Sequence, residues 1–156
     1  MINHHKTGKL TINIDETALT NTTFYHKLWQ PIKQPATFIK HPSPKRLSII
    51  AAIDTEGRIW ATTTFANVDS DLIRIFILRL IHKLEADGLN VETEVLFLLD
   101  NASYHTSGIV RRFFEIYNLN IAWTAPYAYE SSPVETLFSR LKRGELNENN
   151  IKLTGK

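Results

Sequence analysis

Val95-Leu96-Phe97-Leu98-Leu99-Asp100-Asn101-Ala102-Ser103-Tyr104-His105 is the stretch that decides the fold. Five apolar residues run without a break and stop at an aspartate. A run of this kind, bounded by polar residues, reads as a strand buried on both faces. The Asp-Asn-Ala-Ser that follows is turn and cap chemistry. Asp100 therefore belongs where a central strand leaves the core, the edge at which open α/β sheets build their sites. The same aspartate would serve as a cap for the turn or for the next helix, so the flanking sequence has to decide between the two.

Upstream, Lys9 to Asp15 alternates Leu10, Ile12 and Ile14 with Thr11 and Asn13. That is the period of a half-buried strand, and it delivers a second carboxylate at its end. Neighbours on a strand point to opposite faces, so Asp15 and Glu16 do not both face one site. Asp15, closing the strand, is the candidate; Glu16 is expected to be a solvated or structural charge. Leu47 to Asp54 and Arg58 to Phe65 read as two strands of an antiparallel hairpin around Thr55-Glu56-Gly57. Asp54 at its tip is expected to do turn chemistry. Asp69 or Ser70 then caps a helix with apolar residues at helical spacing from Leu72 to Leu84, closed by Gly88. The chain crosses back to the buried strand, the connection that sets strands parallel.

Downstream, Ser107 or Thr106 caps a helix through Ile109, Val110, Phe113, Phe114, Ile116 and Tyr117, with Arg111 and Arg112 on its wet side. Leu119 to Trp123 is a short strand. The loop from Thr124 leads to Pro133, a good first helical residue with Ser132 as its cap. That helix carries Glu135 in its first turn and Arg140, Lys142 and Arg143 at its carboxyl end, where cations suit the helix dipole and are available to phosphates.

The 156 residues suit one domain with a real core. Hydrophobic content is 43% and charged content 22%, ordinary for a globular protein. Without cysteine there are no disulfides and no thiolate metal sites. A net charge of +2 permits a polyanionic partner. No apolar run approaches the roughly 18 residues of a membrane span, and no apolar signal core follows Met1, so no membrane partner is expected. His4-His5 reads as a tail. Thr17 to Pro44 holds Pro31, Pro35, Pro42 and Pro44, which exclude a central strand or a long helix. It reads as a long surface excursion with one short extended piece at Thr37 to Lys40. Lys27, Lys33, Lys40, His41, Lys45 and Arg46 make it basic, with Tyr25, Trp29 and Phe38 interleaved. That mix suits phosphates and unpaired bases; it equally describes a solvated loop with its aromatics tucked onto the core.

Asp15 ends one strand, Asp100 ends another and Glu135 opens a helix. Converging carboxylates without cysteine suit hard cations such as Mg²⁺ or Mn²⁺, and pairs of such cations assist phosphoryl transfer. Ile14-Asp15-Glu16-Thr17, then Leu99 to His105, then Ala125-Pro126-Tyr127 with Ser132-Pro133-Val134-Glu135-Thr136-Leu137-Phe138-Ser139-Arg140-Leu141-Lys142 resemble the three blocks of the DDE transposases of the mariner superfamily and its bacterial insertion-sequence relatives. The 34 residues between Asp100 and Glu135 match that superfamily's spacing, and the resemblance runs from about residue 9 to residue 143.

The resemblance implies a single α/β, ribonuclease H-like catalytic domain over residues 1–156. Its five-stranded mixed sheet would be an antiparallel meander plus two parallel strands, flanked by helices. It implies metal-dependent DNA strand cleavage and strand transfer. Asp15, Asp100 and Glu135 would be the catalytic ligands of two Mg²⁺ or Mn²⁺ ions, with Asn101 and His105 as support. His105 would touch the scissile phosphate or orient a ligand; read as an ordinary residue, it would bond nearby backbone at the helix entry. DNA would be the partner, met by Lys27, Lys33, Lys45, Arg140, Lys142 and Arg143. A homodimer is implied for a full transposase, in the cytoplasm or nucleoid of a bacterium or the nucleus of a eukaryote. In two places the sequence departs from the family. No helix-turn-helix precedes Lys9, and the loop reads Pro126-Tyr127-Ala128-Tyr129 and Ser132-Pro133 where the family has Pro-Tyr-Ser-Pro and Asn-Pro. Two other functions fit the same residues: a ribonuclease H-like nuclease acting on hybrids or junctions, with an additional acid early in the first long helix, and a domesticated, non-catalytic DNA-binding remnant. The chain alone is expected to bind DNA weakly, with little sequence preference and a steep loss of affinity with salt. Tight, salt-resistant capture of one short duplex in a competition assay would overturn that expectation.

Overall fold

The computed structural model describes residues 8–20, 46–124 and 132–143. Residues 21–44 of the basic excursion, with Lys27 and Lys33, then Lys45, the Pro126–Tyr127 loop, Glu130 and the His4-His5 pair lie outside the described residues. Five strands, β1 (Leu10–Leu19), β2 (Leu47–Asp54), β3 (Ile59–Thr64), β4 (Val95–Leu99) and β5 (Ile121–Trp123), form one sheet in the order β3-β2-β1-β4-β5. The helices are α1 (Ser70–Ala86), α2 (Val91–Glu94), α3 (Gly108–Ile116) and α4 (Pro133–Lys142).

All five residues of β4 are buried, as their unbroken apolar run requires. β4 pairs in parallel with β1 on one side and β5 on the other. β1 pairs antiparallel with β2, and β2 with β3. This is the ribonuclease H-like sheet, an antiparallel meander extended by two parallel strands. Strand alternation divides β1 between two cores. Ile12 and Ile14, with Ile50, Ala52, Phe97 and Leu99, pack under α1 and α3. The opposite face, with Ile49 and Ala51, packs against Val134 and Phe138 of α4. α1 buries Ile73, Phe76, Ile77, Leu80, Ile81 and Leu84, a single helical stripe. Asp69 caps it, accepting from the amides of Asp71 and Leu72, and Gly88 turns the chain at a positive φ of 89°. Among the described residues no helix is long and apolar enough to cross a membrane.

Two local expectations are corrected. β1 does not end at Asp15 but runs to Leu19, because β2 pairs with it out to Leu47; a partner strand overrides the weak strand propensity of these residues. One turn of helix, α2, precedes β4. Asn90 accepts from the amide of Thr93, while Glu94 accepts from the amide of Asn90 at 2.6 Å. This reciprocal cap stabilises a turn too short to leave a periodic signal.

Asp54 does the turn chemistry expected of it. Its carboxylate accepts from the amides of Glu56 and Arg58 and from Arg58 Nε at 2.6 Å, and the side chain is fully buried. Asp54→Ala leaves these donors without their acceptor and is expected to cost about 2–3 kcal/mol. Urea denaturation checks this, and a loss below about 0.5 kcal/mol, the range of an ordinary surface substitution, would contradict it.

Candidate active site

Parallel register brings the first two acids together. Asn13 lies opposite Leu98 across the β1–β4 seam. Two residues further along the same direction come Asp15 and Asp100, so both carboxylates leave the sheet at one edge. β4 stops at Leu99 while β1 continues, which opens the space beside Asp15 that a longer β4 would fill. Asp15 shares a face with Asn13, whose side chain meets Ser132 and the amide of Val134. The start of α4 therefore lies over that face, and Glu135 follows directly. Val134 and Phe138 are buried and Glu135 is half-buried on the flank of that arc.

The electrostatics follow from this crowding. Burial, opposed by a hydrogen bond from the Glu16 amide and reinforced by the charges of Glu135 and Asp100, pushes Asp15 up from 3.8 to about 6. Asp100 moves the other way. His105 Nδ1 donates to its Oδ1 at 2.6 Å and the Ala102 amide donates at 3.0 Å; the histidine bond, with the amide's help, outweighs burial and lowers its pKa. Asp100 caps its turn and also stands just past the end of β4. His105 is completely buried. Burial disfavours its charge, but Asp100 and Glu16 together raise its pKa.

Glu16 is a correction. The strand does turn it away from Asp15, but the face it turns to is not solvent. The Asp100-to-Ser107 loop covers that face and places His105 Nε2 at 3.6 Å from Glu16 Oε2. Burial, opposed by His105 and reinforced by Asp15 and Asp100, raises Glu16 from 4.5 to about 7. The shared parity of Ile12, Ile14 and Glu16 was the sequence signal that it faces the core. Asn13, a buried amide in a central strand, was the other residue missed, and its low strand propensity was the signal.

The remaining candidates are placed as follows. Asn101 donates through Nδ2 to the carbonyl of Thr124, tying the ends of β4 and β5 together outside the acid cluster. Ser132 precedes α4 as expected but makes no side-chain cap bond to its own helix. Arg140 and Lys142 are exposed in the last turn of α4, and Arg143 follows them, about 10 Å along the axis from Glu135. Asp69 caps α1 and Asp71 lies 3.6 Å from Arg74, so neither extends the acid cluster. Among the described residues no three His, Asp or Glu side chains stand ready to hold a metal ion in this conformation. The donor set itself, Asp15 with the charges of Asp100 and Glu135 near enough to help raise its pKa, fits a hard divalent cation.

A family profile described as DDE superfamily endonuclease matches residues 11–154. No curated protein sequence matches the chain. Among solved structures, similarity extends to the Mos1 transposase paired-end complex with the left transposon end, at 22% identity and a TM-score of 0.64 over 92% of this chain and 45% of that one. The Mos1 transposase catalytic domain with Raltegravir and Mn gives 18% identity and a TM-score of 0.62 over 92% and 66%. A chain of the simian T-cell lymphotropic virus intasome, in complex with PP2A regulatory subunit B56 gamma, gives 16% and 0.57 over 85% and 38%. These likenesses establish the fold. The chain spans less than half the length of the first of these relatives.

Folded Asp15 holds its proton more tightly than the unfolded chain does. Raising the pH from about 4 to 6 therefore lowers the stability of the metal-free protein, and Glu16 carries the same trend to about pH 7. Asp15→Asn removes one of these contributions. It is expected to stabilise the metal-free protein at pH 7 by about 1–2 kcal/mol, after a discount for solvent screening. Denaturation at pH 4.5 and pH 7 checks the sign; a destabilised variant at pH 7 would refute it.

Proposed function

The chain belongs to the DDE superfamily of endonucleases, and from that membership we propose that it is the catalytic domain of a DNA transposase. Its reaction is DNA strand cleavage with water as nucleophile, followed by strand transfer with a DNA 3′-hydroxyl. The observation that carries this reading is the meeting of Asp15 and Asp100 at one edge of adjacent parallel strands, with the start of α4 bringing Glu135 to bear on Asp15.

In this reading Asp15, Asp100 and Glu135 are the oxygen donors for two Mg²⁺ or Mn²⁺ ions. Solved structures of the Mos1 catalytic domain carry Mn or Mg, which supports that choice. When bound, such a pair activates an attacking oxygen and stabilises the leaving one. The chain's own residues do the rest. His105 fixes the orientation of Asp100 through Nδ1 and keeps it ionised. Asp15, protonated more readily than an ordinary aspartate, would hold such a cation in its ionised form. Glu16 stands behind His105, and its charge favours the protonated imidazole.

DNA is the proposed partner, with Arg140, Lys142 and Arg143 at the end of α4 and Lys27, Lys33 and Lys45 in the basic excursion meeting phosphates. The solved Mos1 paired-end complex includes a transposon end, and a homodimer is proposed for the full transposase. A four-acid nuclease is disfavoured because Asp69 and Asp71 are engaged in capping α1 and pairing with Arg74.

Mg²⁺ or Mn²⁺ at about 100 times its dissociation constant is expected to add about 2.7 kcal/mol of stability. Calorimetry should show that shift in the wild type and not in an Asp15→Asn, Asp100→Asn double variant. Metal-dependent nicking of duplex DNA should vanish in Asp100→Asn. An equal thermal shift in the wild type and the double variant would remove the metal site, and undiminished nicking by Asp100→Asn would remove the assignment.

A further inference from the structure

Asn13 is 4% exposed in the middle of a strand whose neighbours on β4 are apolar. A buried amide there is costly unless its polar atoms are all engaged. They are engaged, by β4 on one side and by the start of α4 on the other. Oδ1 accepts from Ser132 Oγ at 2.6 Å and, at a longer 3.4 Å, from the amide of Val134. Nδ2 donates to the carbonyl of Leu98 at 3.4 Å. Asn13 and its partners each fall within three residues of one of the three acids. Asn13 is two residues before Asp15 on the same face of β1, Leu98 is two before Asp100, and Ser132 and Val134 precede Glu135.

The contacts also explain why Ser132 makes no side-chain cap bond to its own helix. Donation to Asn13 turns its hydroxyl toward the sheet, and Asn13 Oδ1 supplies the amide of Val134 with the acceptor that an amino-terminal cap ordinarily provides. α4 crosses a face of the sheet through two large buried side chains, Val134 and Phe138. Apolar packing of that kind is non-directional, so it fixes how closely the helix lies on the sheet but not how far it slides along its axis. A 2.6 Å hydrogen bond at the first turn does fix that position.

We propose that Asn13 is the positioning residue of the site, a latch that sets the start of α4, and with it Glu135, against Asp15 on β1 and Asp100 just past the end of β4. The inference rests on the proposed three-carboxylate site for its functional consequence, while its mechanical content concerns α4 alone. Groups that support metal ligands from behind typically change metal affinity about 10–100-fold when removed.

The test compares wild type, Asn13→Leu, Asn13→Asp and Ser132→Ala, each checked for folding by circular dichroism. Hydrogen–deuterium exchange is read on the amides of Val134 to Phe138. Mn²⁺ binding is titrated by electron paramagnetic resonance, and nicking kinetics give kcat and KM for DNA. Asn13→Leu should speed exchange in the first turn of α4 by about tenfold or more, weaken Mn²⁺ binding about tenfold or more, and lower kcat while leaving KM for DNA in place. Asn13→Asp retains the acceptor for Ser132 Oγ and should restore much of the protection, and Ser132→Ala combined with Asn13→Leu should add little to Asn13→Leu alone. Unchanged exchange across α4 in a folded Asn13→Leu protein overturns the latch. So does unchanged Mn²⁺ affinity in that variant when the wild type binds Mn²⁺. If the wild type neither binds Mn²⁺ nor nicks DNA, it is the transposase reading that falls, and the exchange data still decide the latch.

Discussion

The parallel pairing of β1 with β4 is the constraint on which the rest depends. It is short, running from Leu10 opposite Val95 to Asn13 opposite Leu98. Because it is parallel and in this register, the residues that follow on both strands emerge side by side. Shifting it by one residue would turn Asp15 to the opposite face from Asp100. The buried apolar faces prevent that slip. Ile12 and Ile14 are locked under α1 and α3, so β1 cannot flip without exposing them.

The candidate site uses both faces of β1 at Asp15 and Glu16. Asp15 looks toward α4, while Glu16 looks toward the loop that carries His105, and Asp100 at the neighbouring strand end connects the two through its bond to His105. The two faces are electrostatically unlike. On the α4 face, burial and then the neighbouring acids drive Asp15 toward its protonated form. On the other, a buried imidazole between two carboxylates holds Asp100 ionised. Buried carboxylates without cations oppose folding, and the surrounding sheet has to offset that cost. The five buried residues of β4 and the α1 stripe are the apolar reserve from which it does so.

Elements with a strong period were legible from the residues alone. The alternation of Leu10 to Ile14, the unbroken run Val95 to Leu99, the α1 stripe and the Gly57 hairpin each appear where the sequence places them. Elements that rest on partners were not. β1 continues to Leu19 because β2 is there to pair with it, and α2 exists because Asn90 and Glu94 cap each other over one turn. Glu16 was misread for a related reason. Alternation correctly sent it to the opposite face, but whether that face is water or protein depends on a loop nearly ninety residues further on, as the separation of Glu16 and His105 shows.

The sequence by itself determined the acids and the elements that carry them: Asp15 on an alternating strand, Asp100 at the end of a buried one, Glu135 in the first turn of a proline-started helix. Local periodicity, turn chemistry and capping are written within a few residues, so they survive without a fold. Only the tertiary structure decided what those acids meet. The bond from His105 to Asp100, the approach of Glu16 behind it, and the reach of Ser132 and Val134 to Asn13 across 119 and 121 residues depend on packing between distant segments. No local pattern encodes such contacts, because their energy comes from burial and hydrogen bonding that exist only once the sheet and its helices have closed.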